Sequence, residues 1–107
     1  MNIENLNDMI EIPKRFRIGG QDIEVKEVER CENDNLGLCC VAEGVIEISE
    51  TFRGKIQCDS ARLNTFYHEL THSILDTMGE NELSSNEKFV STFSSFLTEA
   101  IRSFKYE

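Results

Sequence analysis

Both histidines of the chain lie in one pentapeptide, His68-Glu69-Leu70-Thr71-His72, which has the pattern His-Glu-x-x-His. Residues four apart share one face of an α-helix, with Cβ atoms roughly 5–6 Å apart. Two imidazoles at this spacing can bind a single Zn²⁺ at about 2.0–2.1 Å per Zn–N bond. A glutamate beside them can reach a metal-bound water as a general base. The pentapeptide therefore predicts zinc ligands at His68 and His72 and a catalytic base at Glu69.

The residues around the pentapeptide predict the helix that such a site needs. Asp59 or Ser60 can cap its start, and Gly79 is suited to its end. Both histidines then lie in the middle of this helix, beside its apolar stripe, whereas two unused surface histidines would more often lie on the solvated face. The stripe has the three- and four-residue spacing that is typical of an amphipathic helix and consists of Leu63, Phe66, Tyr67, Leu70, Ile74, Leu75 and Met78.

A third zinc ligand must come from outside the pentapeptide, because catalytic zinc usually has three protein ligands and one position for water. The chain has no third histidine, so a carboxylate is favoured over a cysteine. Asp76 follows His72 by four residues, but three residues at successive four-residue steps span about 12 Å of straight helix, too far for one ion. Glu80 and Glu82 lie in a connector whose path the sequence leaves open.

Glu87 is the preferred third ligand, because it opens a second helix that can pack against the first. Residues 84–87 fit the capping-box pattern Ser-x-x-Glu, so the alternative role of Glu87 is to cap this helix. We expect the phenylalanines after residue 65 to supply much of the core between helices and sheet. The predicted apolar face of the second helix consists of Phe89, Val90, Phe93, Phe96, Leu97, Ala100, Ile101 and Phe104.

In the N-terminal half, apolar and polar residues alternate with the two-residue period of β-strands rather than the longer period of helices. Residues 14–19 predict a short strand that ends in a turn at Gly19-Gly20, and residues 21–30, 36–41 and Val45–Ser49 predict three more. We therefore expect an α+β fold, with a small, mostly antiparallel sheet of three to four strands followed by the two helices. Residues 1–13 are interpreted as an acidic lead-in, either a tail or a pro-segment over the cleft, and residues 14–107 as one domain.

Composition excludes several classes of function. A net charge of −9 over 107 residues disfavours binding to nucleic acid, which needs Lys and Arg to displace counterions. No apolar run approaches the roughly 18 residues of a membrane helix, and the polar N-terminus differs from a signal peptide, so a cytoplasmic location is expected. The four cysteines are therefore expected to be reduced and to act as small apolar residues. The sequence does not indicate an oligomeric state.

The strand-rich N-terminal half, the helix with the His-Glu-x-x-His pentapeptide and the following Asn86-Glu87 element resemble the small gluzincins. The likeness covers residues 15–104 and is greatest to minimal single-domain metallopeptidases and to ImmA/IrrE-like zinc peptidases of bacteria, phages and mobile elements. The resemblance implies a zincin-like fold in which His68, His72 and Glu87 bind Zn²⁺ and Glu69 is the base. It further implies hydrolysis of a peptide or protein substrate, aligned along Val45–Ser49 as the edge strand of the sheet.

The competing hypothesis is a protein without catalytic activity. The same fold can be an interaction module, or the chain can be an acidic inhibitor or mimic that binds a partner protein through its charge. A purely structural site has no use for a general base, so the presence of Glu69 favours the enzyme. Tyr67 is the nearest candidate to stabilise an oxyanion, but its position on the apolar stripe predicts a role in the core.

Overall fold

A computed structural model describes residues 11–107, in which a sheet is followed by three helices. This architecture confirms the predicted α+β class with a four-stranded sheet. The sheet strands are β1 (Arg15–Ile18), β2 (Gln21–Val28), β3 (Gly37–Cys40) and β4 (Val45–Ser49), and a separate hairpin follows with β5 (Thr51–Phe52) and β6 (Lys55–Ile56). The helices are α1 (Asp59–Met78), α2 (Asn81–Ser84) and α3 (Glu87–Arg102).

The order of the strands across the sheet is β1-β2-β4-β3. β1 and β2 form an antiparallel hairpin whose turn contains Gly19 and Gly20, both at positive φ, where glycine meets no steric penalty. β4 runs parallel to β2 and antiparallel to β3. Two of the three strand pairs are thus antiparallel, as expected, and the chain passes through β3 before it returns to pair β4 with β2.

The prediction that Val45–Ser49 is an edge strand is wrong. β4 lies between β2 and β3, and Ile46 has Val25 opposite it on one side and Cys39 on the other. Ile46 and Ile48 are both fully buried at 0% exposure, which is what a central strand covered by a helix requires. The edge strand on this side of the sheet is β3.

The core lies between the sheet and the first half of α1. Its buried members are Ile23, Val25, Ile46, Ile48 and Phe66, and Ile12 from the predicted lead-in packs against them. Each fully buried aliphatic or aromatic side chain of this kind contributes about 1.5–3 kcal/mol to folding. Residues 1–10 of the lead-in lie outside the described residues. Met78, expected on the buried stripe of α1, is 65% exposed, since it is the last residue of the helix.

The prediction that the phenylalanines of α3 fill the core is also wrong. α3 contacts α1, and the residues that it buries are Val90, Ser94 and Thr98. The Thr98 hydroxyl donates to the Ser94 carbonyl at 2.7 Å, so its burial leaves no polar group without a partner. Apart from Val90, the residues that α3 buries are thus small and polar, whereas Phe93 and Phe96 lie on its outer side with 47% and 66% exposure.

All four cysteines are free thiols, as the sequence predicted. Cys31 is buried and Cys39 is half-buried, but Cys40 and Cys58 are exposed, so the expectation that the cysteines are small buried apolar residues is wrong for these two. In residues 11–107, no helix has the combination of length and apolar composition that a membrane crossing would require.

Candidate metal centre

Two helix boundaries bring the site residues together. α1 ends at Gly79, whose left-handed conformation lets its amide donate to the Asp76 carbonyl and so turns the chain. After the short helix α2, the chain reverses direction and α3 begins at Glu87, next to the histidines of α1. The first turn of a helix lies at the positive end of the helix dipole, and Glu87 occupies this position in α3.

The cap of α3 is Asn86 rather than Ser84, so the predicted capping box is not formed. The Asn86 side chain accepts a hydrogen bond from the Phe89 amide at 3.1 Å, which satisfies one of the free amides at the helix start. Ser84 is instead the last residue of α2 and is buried. Because Asn86 caps the helix, the Glu87 side chain is available to face the histidines.

His68, His72 and Glu87 converge. One ligand atom from each lies within 4.8 Å of the others, and the two imidazole planes are inclined at 67° with centroids 5.0 Å apart. The Nε2 atom of His68 is 3.2 Å from one Glu87 oxygen, and that of His72 is 3.2 Å from the other. Ligands placed tetrahedrally at about 2.0–2.1 Å from zinc are about 3.3–3.4 Å apart, which is close to the distance between each histidine and its nearer Glu87 oxygen.

The protonation of His68 also suits metal binding. Burial lowers the pKa of His68, and this effect outweighs the opposing attraction of the Glu87 carboxylate. The imidazole is thus held neutral near pH 7, and metals bind the neutral form. A donor set of two imidazoles and one carboxylate is one that catalytic zinc uses.

Ser84 is a supporting residue that the sequence did not reveal. Its hydroxyl lies 3.0 Å from Nδ1 of His72. When Nδ1 carries the proton, its N–H donates a hydrogen bond to this hydroxyl. The lone pair of Nε2 is then directed at the Glu87 side, where the metal would lie. The pattern Ser84-x-x-Glu87 indicated a helix cap, and no local signal in the sequence connects Ser84 to a histidine twelve residues earlier.

Replacing Ser84 with alanine is expected to weaken zinc binding by roughly 10- to 100-fold, the usual effect of removing a hydrogen-bond partner of a metal-binding histidine. The affinity can be measured by competition with a chromophoric zinc chelator. Ser85→Ala is the matched control, because Ser85 is exposed and adjacent. Equal affinities of the Ser84 and Ser85 variants would show that the hydrogen bond has no role in holding the ligand.

Glu69 occupies a different environment from the three converging residues. Its side chain is buried, with 8% exposure. Burial and, to a smaller extent, the negative charge of Glu87 raise the pKa of Glu69 to about 7. No hydrogen-bond donor in residues 11–107 offsets these two causes. A carboxyl group with a pKa near neutral pH can both accept and return a proton, which is the requirement for a general base that later acts as an acid.

Replacing Glu69 with glutamine removes this buried charge and is expected to stabilise the metal-free protein at high pH. An unfolded glutamate ionises near pH 4.5, whereas folded Glu69 keeps its proton up to about pH 7. Stability is thus lost as pH rises between these values, by an amount on the order of 3 kcal/mol at pH 8. In chelator, Glu69→Gln should be more stable than the wild type by about this much at pH 8 and by less than about 1 kcal/mol at pH 5.

Denaturant unfolding at both pH values measures this difference. Glu82→Gln is the control, because Glu82 is exposed on α2 and its replacement should change stability little at either pH. A difference between Glu69→Gln and wild type that is the same at pH 5 and pH 8 would contradict the burial of an ionisable carboxyl group.

The four site residues line one cavity of about 730 Å³. α1 contributes His68, Glu69 and His72, α3 contributes Glu87, and the opposite wall is formed by residues 34–39, which include the edge strand β3. The cavity is large enough for several residues of an extended peptide.

β3 is held close to α1 at two points. A Cβ added to Gly37 would lie 2.9 Å from Cγ of Glu69 and 2.7 Å from Cγ2 of Thr65, so only glycine permits this approach. The Cys39 thiol and the Ser73 hydroxyl are 3.1 Å apart, which joins the same strand to α1 further along. Glycine within a strand often marks such a close contact, and this signal was present in the sequence but unused.

The remaining sequence candidates have other positions. Asp76 lines the cavity but is not part of the converging group, as the helical spacing predicted. Glu80 and Glu82 are exposed and also lie outside the group. Tyr67 packs against the core, with its ring in edge contact with Phe66 at 5.2 Å, which is the core role that its stripe position indicated.

Comparisons with known proteins found no relative of this chain. No protein family model matches the chain, and neither the characterised proteins nor the solved structures that were compared give a match.

Proposed function

We propose that the chain is a zinc-dependent metallopeptidase of the gluzincin type, with a minimal zincin-like fold. The observation that carries the proposal is the convergence of His68, His72 and Glu87 beside the buried carboxyl group of Glu69 in one cavity. The first three residues are the proposed zinc ligands, and Glu69 is the proposed base. When bound, zinc supplies Lewis-acid activation of a water molecule and of a substrate carbonyl.

Glu69 moves the protons of the proposed reaction. Its carboxylate takes a proton from the attacking water and transfers it to the amine that leaves when the peptide bond breaks. A positive ion bound by its neighbours would favour the ionised form of Glu69, so that the carboxylate can act as a base near pH 7. Ser84 keeps the His72 ring oriented through Nδ1.

The edge strand β3 is the proposed alignment surface for the substrate, in place of Val45–Ser49. One edge of β3 pairs with β4, and within residues 11–107 no strand pairs with its other edge. A peptide added there would form main-chain hydrogen bonds that do not depend on its side chains. The close approach of Gly37 to Glu69 brings this strand next to the base.

The burial of Glu69 favours catalysis over a non-catalytic interaction module. A buried carboxyl group with a raised pKa lowers the stability of the metal-free protein at neutral pH. A site that holds zinc for stability alone gains nothing from such a group, whereas a hydrolase needs it. The acidic partner-binding alternative likewise gives no role to a carboxyl group with only 8% exposure.

Digestion of a mixed peptide library by the zinc-loaded protein tests the proposal. We expect new N-termini, detected by mass spectrometry, that disappear when zinc is removed with a chelator and return when zinc is added back. Glu69→Gln protein prepared in the same way is the control for a contaminating peptidase. Cleavage that continues in the chelated protein, or that is equal in the Glu69 variant, would contradict the proposed function.

A further inference from the structure

The outer face of α3 carries an apolar surface that no other part of residues 11–107 covers. We call it the Phe face and define it by Phe89, Phe93 and Phe96, of which Phe93 and Phe96 are 47% and 66% exposed. The rings of Phe89 and Phe93 stack with centroids 5.8 Å apart. Beside them is a groove of about 480 Å³ that is lined also by Asn86, Lys88 and Thr92.

The Phe face lies on the opposite side of α3 from the candidate metal centre. Phe96 follows Glu87 by nine residues, which is a rotation of about 180° around an α-helix. Glu87, Ser91 and Ser94 line the cavity of the site, whereas Phe89 and Phe93 point away from it. The Phe face is therefore not part of the candidate metal centre, and large exposed aromatic side chains of this kind mark sites of protein association.

Charged residues on the border of the Phe face indicate what covers it. Lys88 and Glu99 are both exposed, and neither forms an ion pair within the described part of the chain. They are eleven residues apart, which places them in one row of the helix, about 20° apart around its axis and about 16 Å apart along it. A row with a positive residue near its start and a negative one near its end is complementary to an antiparallel copy of itself.

We propose that a second copy of this chain covers the Phe face, with the two α3 helices packed antiparallel around a twofold axis. In the register that sets Lys88 of each copy opposite Glu99 of the other, the axis passes between residues 93 and 94, so both Phe93 rings lie beside it. In the same register Phe96 of one copy lies at the level of residue 91 of the other along the helix axis, beside the groove lined by Lys88 and Thr92. One register thus satisfies the charges and fills the groove, and both metal centres stay open to solvent.

Sedimentation equilibrium of the full chain over a range of concentrations tests this arrangement. We expect the wild type to be a dimer, and Phe96→Glu to raise the dimer dissociation constant roughly thirtyfold or more, as removal of a central interface aromatic does. Ile56→Glu is the matched control, because Ile56 is 87% exposed on the β5–β6 hairpin and should leave the dimer intact. A monomeric wild type, or a dimer unaffected by Phe96→Glu, would overturn the proposal.

Reversal of the two charges tests the antiparallel register without removing any aromatic side chain. Lys88→Glu and Glu99→Lys are each expected to raise the dissociation constant by roughly tenfold, because each change creates two like-charge contacts. The double variant with both reversals restores the two pairs and should dimerise as the wild type does. A double variant that is as weak as the single variants would overturn this register and with it the proposal.

The other occupants of the Phe face are outcomes of the same experiment. Residues 1–10 are the segment of this chain that could cover it, so a variant that begins at residue 11 is compared with the full chain. If the full chain is a monomer and the shortened chain dimerises, the segment is the occupant and the proposal fails. If the full chain dimerises with or without residues 1–10, and both dimers respond to Phe96→Glu, a second copy is the occupant.

Discussion

Replacing Glu69 with glutamine is expected to leave zinc bound and to lower the rate of peptide hydrolysis by roughly 10²- to 10⁴-fold, the contribution of a general base. Glutamine has nearly the same shape as glutamate, so the packing of the buried side chain is kept. It cannot accept the proton of the attacking water, so kcat falls, while KM should change much less. The two parameters are measured on a peptide identified in the library digestion.

The control for this variant is a second glutamate that has no contact with the cavity. Glu82→Gln meets this condition, because Glu82 is exposed and does not line the cavity, and it should retain full activity. The zinc content of both proteins is measured alongside, so that a loss of metal is not mistaken for a loss of the base. Full activity of Glu69→Gln with zinc bound would contradict the role assigned to Glu69.

Replacing Glu87 with alanine is expected to weaken zinc binding by more than roughly a hundredfold, which is the upper range for residues that only support a ligand. Two imidazoles would remain, and two protein ligands hold zinc poorly. His68→Ala should have a comparable effect for the same reason. Zinc content after purification without added metal, together with a chelator competition, measures both variants.

Glu82→Ala is the matched control for the loss of Glu87. Both residues are exposed acids from the segment that follows α1, and the sequence alone left both open as ligands, but only Glu87 joins the converging group. Zinc binding by Glu82→Ala should equal that of the wild type. If Glu82→Ala lost zinc and Glu87→Ala kept it, the geometry assigned to the third ligand would be wrong.

The helices and strands could be predicted from the sequence because their patterns are local. The periodicity of α1 and the turn residues Gly19, Gly20 and Gly79 depend only on neighbours in the chain, and the four sheet strands, α1 and α3 lie within a few residues of the predicted limits. The β5–β6 hairpin and the short helix α2, which lies where the sequence indicated a connector, were not predicted. The spacing of His68 and His72 is equally local, so their convergence was predictable from helical geometry.

Contacts between residues that are far apart in the chain could not be predicted in this way. The position of β4 in the centre of the sheet depends on a parallel pairing with β2, which no turn residue specifies. The role of Ser84 depends on how α2 folds back onto α1. The apolar pattern of α3 shows that one face is hydrophobic, but it does not show that small residues such as Ser94 contact α1 while Phe96 faces outward.

The zinc coordination itself can be measured most directly by X-ray absorption at the zinc edge of the purified, stoichiometrically loaded protein. The account predicts two imidazole ligands with nitrogen and oxygen donors at about 2.0–2.1 Å and no sulfur donor. In Glu87→Ala the imidazole contribution should persist in whatever zinc remains, with the carboxylate oxygen lost. A sulfur donor at about 2.3 Å would contradict a centre built from His68, His72 and Glu87. A protein that does not bind zinc in a one-to-one ratio would contradict it as well.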